Sequence, residues 1–197
     1  MSSTIGDLPP RKLRIKLREP EDMTPEERAA YESNPMARTN IARLFSIAET
    51  MSPHLTAMNM AMATSITVPP LEREIVALAV LHLDRGEYEI AQHMEVYKMM
   101  GIPDAKVKAI KHERYGDPVF TDRERALLAF TRQVVKTVRV DDFVFDAVAA
   151  FYDSRQIMET VFVIANYMMI LRLTEVADLP LDGVLGASFW KEKGEGG

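Results

Sequence analysis

The stretch PPLEREIVALAVLHLDRG, from Pro69 to Gly86, constrains the chain most. Past its prolines it is apolar almost all the way round a helical wheel, and a helix of that kind has to be covered by protein on most sides. It therefore reads as a central helix over 70–84. Segments with apolar residues at helical spacing lie at about 38–50, 53–66, 87–100, 104–112, 122–138, 141–152 and 154–175, and almost nothing alternates with the period of a strand. Thr24-Pro25-Glu26-Glu27 and Thr121-Asp122-Arg123-Glu124 each read as a capping box that starts a helix. Gly101, with Pro103 behind it, stops the segment 87–100. The expected class is all-α, about eight helices, with the helix hairpin 70–100 at the centre. REIVALA (73–79) and RERALLA (123–129) agree at four of seven positions, the mark of a duplicated helical unit.

With 197 residues, 47% apolar and 27% charged, the composition is that of one ordinary globular domain. That domain is expected over 21–177, between an N-terminal arm (1–20) and an irregular C-terminal tail (178–197) that ends in KEKGEGG and should be disordered at its end. The net charge of -5 and the lack of like-charge runs leave no basic footprint for nucleic acid or a membrane surface. Only RKLRIKLR (11–18) is locally basic, and it reads as a solvated or partner-covering arm. There is no cysteine, so disulfides, thiolate nucleophiles and sulfur-ligated metals are excluded. The N-terminus lacks the apolar region of a secretory signal, and the run VFVIANYMMIL (161–171) is too short to span a bilayer. A cytoplasmic protein without membrane partner is expected. The 13 methionines read as adaptable core.

Ionisable side chains interrupt this apolar frame in GEYEIAQHMEVYKMMG (86–101). On a wheel of 100° per residue Glu87, Ala91, Glu95 and Lys98 share the solvent face, whereas Glu89 and His93 fall among Ile90, Met94, Val96, Tyr97 and Met100, about 40° apart. A buried carboxylate needs a partner or a proton, and His93 is the partner within reach. If helix 70–84 turns back across Asp84-Arg85-Gly86, His82 comes near the start of the second helix and Glu74 near its far half. Tyr88 points about 100° away and reads as a subunit contact. Spacing alone leaves two readings of the Glu-x-x-x-His pair, a structural hydrogen bond or an acid/base site, and His82 alone reads as a satisfied core or interface histidine. His54 and His112 read as surface or cap residues.

The spacing Glu74, Gly86, Glu89, His93 resembles, without a gap, the Glu…Cys-x-x-Cys-x-x-x-His pattern of the alkylhydroperoxidase D-like superfamily, with both cysteines replaced. LEREIVALAV…GEYEIAQHMEVYKMMGIPDAKVKAI is similar to the carboxymuconolactone decarboxylase-like branch that carries Tyr-Glu-x-x-x-His and no thiols, although Ile90 stands where that branch often has tryptophan. NIARLFSIAETMSPHL, FTDRERALLAF, NYMMILRLTEV and ADLPLDG extend the likeness over most of the chain.

The resemblance implies an alkylhydroperoxidase D-like helical bundle that pairs through long apolar helices into a homo-oligomer, a dimer or a trimer of dimers, with pockets near the subunit interface. The apolar surface of helices 70–84 and 154–175 agrees with a homo-oligomer. Peroxide reduction in that superfamily needs two thiols, so no thiol peroxidase activity is expected. What remains is acid/base chemistry: a cofactor-free lyase (decarboxylase) or isomerase acting on a small unsaturated lactone-like or aromatic-derived acid, with no metal. The resemblance makes His93 the proton carrier, Glu89 its orienting partner and Glu74 a second acid or anchor. Such a mechanism also requires an arginine for the substrate carboxylate; Arg172, inside the apolar MMILRLTEV, is the first candidate and Arg43 the second, with His82 and Tyr97 as further substrate-binding candidates. Two alternatives stand beside this reading: a non-catalytic oligomer with a ligand pocket, and a metal-dependent enzyme using Glu74, His82, Glu89 and His93.

Overall fold

Nine α-helices follow one another among the described residues, 11–182 of the computed structural model, with no strand between them. They are α1 (Pro25–Ser33), α2 (Asn40–Ser46), α3 (Ser52–Thr64), α4 (Pro70–Asp84), α5 (Glu87–Met99), α6 (Asp104–Lys111), α7 (Asp122–Thr137), α8 (Asp142–Ala149) and α9 (Ser154–Ala177). The class is all-α, as expected. Both capping boxes form: the Thr24 side chain accepts from Glu27 N and Thr121 from Glu124 N, and each glutamate accepts from its threonine's N–H. A third box, Asp153 with Gln156, starts α9. The segment expected over 38–50 is helical only over Asn40–Ser46 and then breaks into turns.

The central element is α4. From Ile75 to Leu81 every side chain is buried, because α9 and α7 pack along it from two sides while α5 and α6 close the rest. Val76, Val80 and Leu81 meet Leu127, Val163, Ile164 and Leu171 in one core. Ile75, Leu78 and Ala79 face a second core with Tyr97, Ile110, Phe120 and Leu128. Burying a Val, Leu or Ile side chain stabilises by about 1.5–3 kcal/mol, so these two cores hold the helices in register.

The α4–α5 hairpin turns through Arg85, whose φ of 61° is left-handed, while Gly86 has an ordinary φ of -79°. Gly86 is needed for space instead. A Cβ there would lie 1.5 Å from Leu171 Cδ2.

Residues 11–18 of the expected arm run along the end of α9, with 12–16 exposed to solvent as expected and Leu17 turned inward. Arg14 N donates to Ala177 O at 2.9 Å, Arg11 pairs with Glu87 and Glu175, and Leu17 is buried with Leu44, Tyr88 and Leu179. The irregular stretch 178–182 folds back on the same side. The arm before residue 11 and the tail from 183 on, including its expected disordered end, lie outside the described residues. By length and composition α9 could cross a bilayer, a property the 161–171 run alone does not show. Here one of its faces is protein core, with Thr160, Asn166 and Thr174 buried among Val163, Ile164 and Leu171.

Candidate active site

The hairpin brings Glu74, near the start of α4, against His93 in the middle of α5, the antiparallel arrangement anticipated from the sequence. Their Oε1 and Nδ1 atoms are 2.6 Å apart. Glu74 is only 5% exposed, and the His93 side chain keeps 14% of its surface open. Burial alone would lower the His93 pKa, but the charge and hydrogen bond of Glu74 outweigh it and hold the imidazole above its ordinary range. With Nδ1 engaged, Nε2 is the nitrogen left for a substrate: a base when the ring is neutral, a donor when it is charged.

The expected Glu89–His93 pair does not form. Glu89, 3% exposed, turns to α9, where its Oε1 accepts from Thr174 Oγ1 at 2.7 Å. Helical spacing fixes that two side chains share a face, not that they meet, and here α4 offers His93 a carboxylate while α9 offers Glu89 a hydroxyl. Glu89 Oε2 is buried and has no hydrogen-bond partner among the described residues. Burial raises the pKa of this carboxyl, against the opposing pull of Thr174, so the site favours its neutral form.

Tyr167 on α9 closes the third side. Its ring stands edge-on to His93, with centroids 5.3 Å apart and an interplanar angle of 75°. Tyr167, Leu171 and Thr174 recur at helical spacing on one stripe of α9 and touch His93, the Gly86 turn and Glu89 in turn. The sequence reading missed this stripe. The seven-residue step from Tyr167 to Thr174 is the signal that carries it.

The remaining sequence candidates go elsewhere. Arg172 is half-exposed on α9, where it pairs with Asp84 and donates to Met168 O. Arg43 is committed to Glu19 and to Arg18 O. Each is thus paired with an acid of the chain itself, and neither contacts Glu74 or His93. Helical periodicity places an arginine on a face but cannot show which acid across the fold captures it. His82 and Tyr97 border a separate cavity against α6, on a different face of α5. Tyr88 is not a subunit contact: it is fully buried, and its hydroxyl donates to Asp182 and accepts from Ile41 N. The chain returning at 178–182 covers it, which the periodicity of one helix cannot reveal. Among the described residues no three His, Asp or Glu side chains come close enough to hold a metal ion, so the set Glu74, His82, Glu89 and His93 is not assembled.

No protein-family model matches the chain, and no curated protein sequence matches it. Solved structures do match its shape. An uncharacterized peroxidase-related protein from Silicibacter sp. TM1040 superimposes with a TM-score of 0.75 at 16% identity, over 92% of this chain and 98% of that one. An uncharacterized peroxidase-related protein with the alkylhydroperoxidase core, from Ralstonia eutropha JMP134, gives 0.74 at 15% identity, over 89% and 96%. A debrominase in complex with 2,3,4-tribromopyrrole gives 0.70 at 14% identity, over 94% and 100%. The fold is therefore that of the alkylhydroperoxidase D-like proteins.

Proposed function

We propose that the chain is a cofactor-free acid/base enzyme of the lyase (decarboxylase) or isomerase type, acting on a small unsaturated lactone-like or aromatic-derived acid. The observation that carries the reading is the 2.6 Å contact between Glu74 and His93 Nδ1 in a nearly closed site. Glu74 takes the orienting role that the resemblance implied for Glu89. It fixes the tautomer and stabilises the imidazolium, so that His93 Nε2 can remove a proton from one carbon and return it to another, or protonate the dienolate left when carbon dioxide departs. Glu89, whose carboxyl burial raises above its ordinary range, ties α5 to α9 through Thr174 and supports the site from behind. The raised imidazole of His93 and the raised carboxyl of Glu89 are perturbations of the kind from which acid and base roles are assigned.

The test compares His93→Gln and His93→Ala with the wild type on a panel of lactones and β,γ-unsaturated acids, in D2O so that deuterium entering substrate carbon is read directly. A proton carrier is worth about 10²–10⁴ in rate, and both variants should lose that much in kcat while remaining folded. Near-normal turnover by His93→Gln would overturn the assignment and leave the pair structural.

We infer that the enzyme works as a homo-oligomer. Met158, Phe162, Met169, Leu173 and Val176 are exposed and line one stripe of α9, opposite its core face, which supports a second copy packing there. Sedimentation at micromolar concentration should give a species heavier than the 22.3 kDa monomer. A monomer alone would sink this inference.

A further inference from the structure

Arg172 and Arg43 are spent on acids of the chain, yet another cation stands next to the Glu74–His93 pair. Arg73 directly precedes Glu74 on α4 and is half-buried. Among the described residues every other arginine is either exposed or joined to an acid, whereas Arg73 has no acid partner. The acids on either side of it in the chain are engaged elsewhere: Glu72 holds Arg123, and Glu74 holds His93.

Arg73 Nη1 donates to Met62 O at 2.6 Å and to Ala63 O at 3.0 Å, both in the last turn of α3. An arginine that satisfies the final carbonyls of a helix needs no further role. These two bonds, however, occupy Nη1 alone. The edge formed by Nε and Nη2 makes no hydrogen bond among the described residues and is not sealed from solvent. That is the edge of a guanidinium that takes a carboxylate side-on, through two parallel N–H donors.

The same face of α3 leads to the reacting group. Asn59, Met62 and Ala63 stand at i, i+3 and i+4 and share one side of that helix. Asn59 Oδ1 accepts from Asn166 Nδ2 at 2.9 Å, and Asn166 is the residue before Tyr167. Met58 and Met62 belong to the core that Tyr167 packs against. Arg73 from α4 and Tyr167 from α9 thus approach one side of α3, and the charge of Arg73 opposes the rise that burial imposes on the phenol. The Tyr167 hydroxyl makes no hydrogen bond among the described residues and, like His93 Nε2, is not sealed from solvent. Its ring already stands edge-on to His93.

We propose that Arg73 and Tyr167 bind the substrate's carboxylate, Arg73 through its Nε–Nη2 edge and Tyr167 through its hydroxyl, so that the site selects monoanionic acids over their neutral esters. For its substrate class this assignment rests on the acid/base reading of His93. The carboxylate lies on the α3 side of Tyr167, and the unsaturated body lies on the side of His93 Nε2. A cation fixed on a carboxylate stabilises that group and slows its loss as carbon dioxide. The clamped carboxylate is therefore one that the substrate keeps.

A binding measurement tests this separately from the kinetics of His93: ligand-observed NMR titration with but-3-enoate and methyl but-3-enoate. The wild type should saturate with the acid at millimolar concentration and bind the ester about tenfold more weakly or worse. Arg73→Gln should lose about tenfold or more for the acid and leave the ester unchanged, and Arg73→Lys, which keeps the charge, should retain part of the preference. Tyr167→Phe removes a hydroxyl that bonds nothing in the fold, so it tests the site even where Arg73→Gln fails to fold. It should lose roughly threefold to tenfold for the acid alone. An arginine that only caps α3 would weaken acid and ester alike, or neither. The proposal is overturned if but-3-enoate does not saturate by about 50 mM, if the ester binds as tightly as the acid, or if Arg73→Gln or Tyr167→Phe, folded, keeps the full preference for the acid. His93→Gln should bind the acid as the wild type does. Normal turnover in that variant would sink the proton-carrier reading and leave the carboxylate site standing.

Discussion

Glu74 in α4 and Glu124 in α7 hold equivalent positions in the related stretches REIVALA and RERALLA, and both are nearly buried. Each reaches a base on another helix: Glu74 meets His93 on α5, and Glu124 meets Lys106 on α6. The difference lies in the partner. Lys106 donates to Glu124 from an ammonium, and Thr121 N–H adds a second hydrogen bond to the same carboxylate. Despite burial, Lys106 and Thr121 hold the Glu124 carboxyl below its ordinary range. That pair pins α6 to α7. The imidazole of His93 is instead the side-chain type that exchanges its proton near neutrality. From one helical pattern the chain thus builds a clamp on one side of the core and a proton-handling site on the other.

Exchanging each glutamate for its isostere is the most direct way to break this contrast. Glu74→Gln should slow the proposed reaction by roughly tenfold to a hundredfold, less than removal of His93, and move the pH–rate arm that reports the imidazole to lower pH. Glu124→Gln should leave turnover nearly unchanged and cost about 1–3 kcal/mol in stability, read from urea melts. Equal effects of the two on rate would show that the sites do not differ in kind.

Acid and base titration sharpens the comparison with opposite signs. The raised His93 pKa makes its stabilisation complete below the unfolded value of about 6.5 and lost as pH rises through the folded value. The lowered Glu124 pKa makes its stabilisation complete above the ordinary glutamate value and lost as pH falls through the folded one. The stability gap between wild type and His93→Gln should therefore shrink with alkali, and that for Glu124→Gln with acid. Gaps that move in the same direction would refute the assignment of partners.

The smallest effect should come from Glu89→Gln. The Glu89 carboxyl is raised by burial, so ionisation works against the folded state and stability is lost as pH climbs from the unfolded to the folded value. Glutamine removes that penalty, and the variant should match or slightly exceed wild-type stability at neutral pH. A clear loss there would mean that the buried group carries its charge.

What the sequence discloses is what one helix can encode. The central place of α4 follows from its apolar circumference, the helix starts from Thr24 and Thr121, and the approach of Glu74 to α5, though not its pairing with His93, from a short turn between two long helices. Three kinds of fact were hidden. The partner of Glu89 comes from Thr174, 85 residues away, and depends on how α9 crosses α5. Tyr88 is covered by a chain return at Asp182. His82, although it lies on the site helix, is drawn into a separate cavity because α6 packs there. Each depends on packing between distant segments, which periodicity within a segment does not record.

The contact between Gly86 and Leu171 works as a ratchet against thiol chemistry. A cysteine placed at 86 would drive its Cβ to 1.5 Å from Leu171 Cδ2 and to 3.0 Å from Glu89 Oε2. Shrinking Leu171 first would open a void beside a fully packed core, at a cost of about 2–5 kcal/mol for a leucine-to-alanine change. A thiol at 86 is therefore tied to a shift of the Leu171 side chain, so the shape of α9 and the chemistry open to the α4–α5 turn are set together.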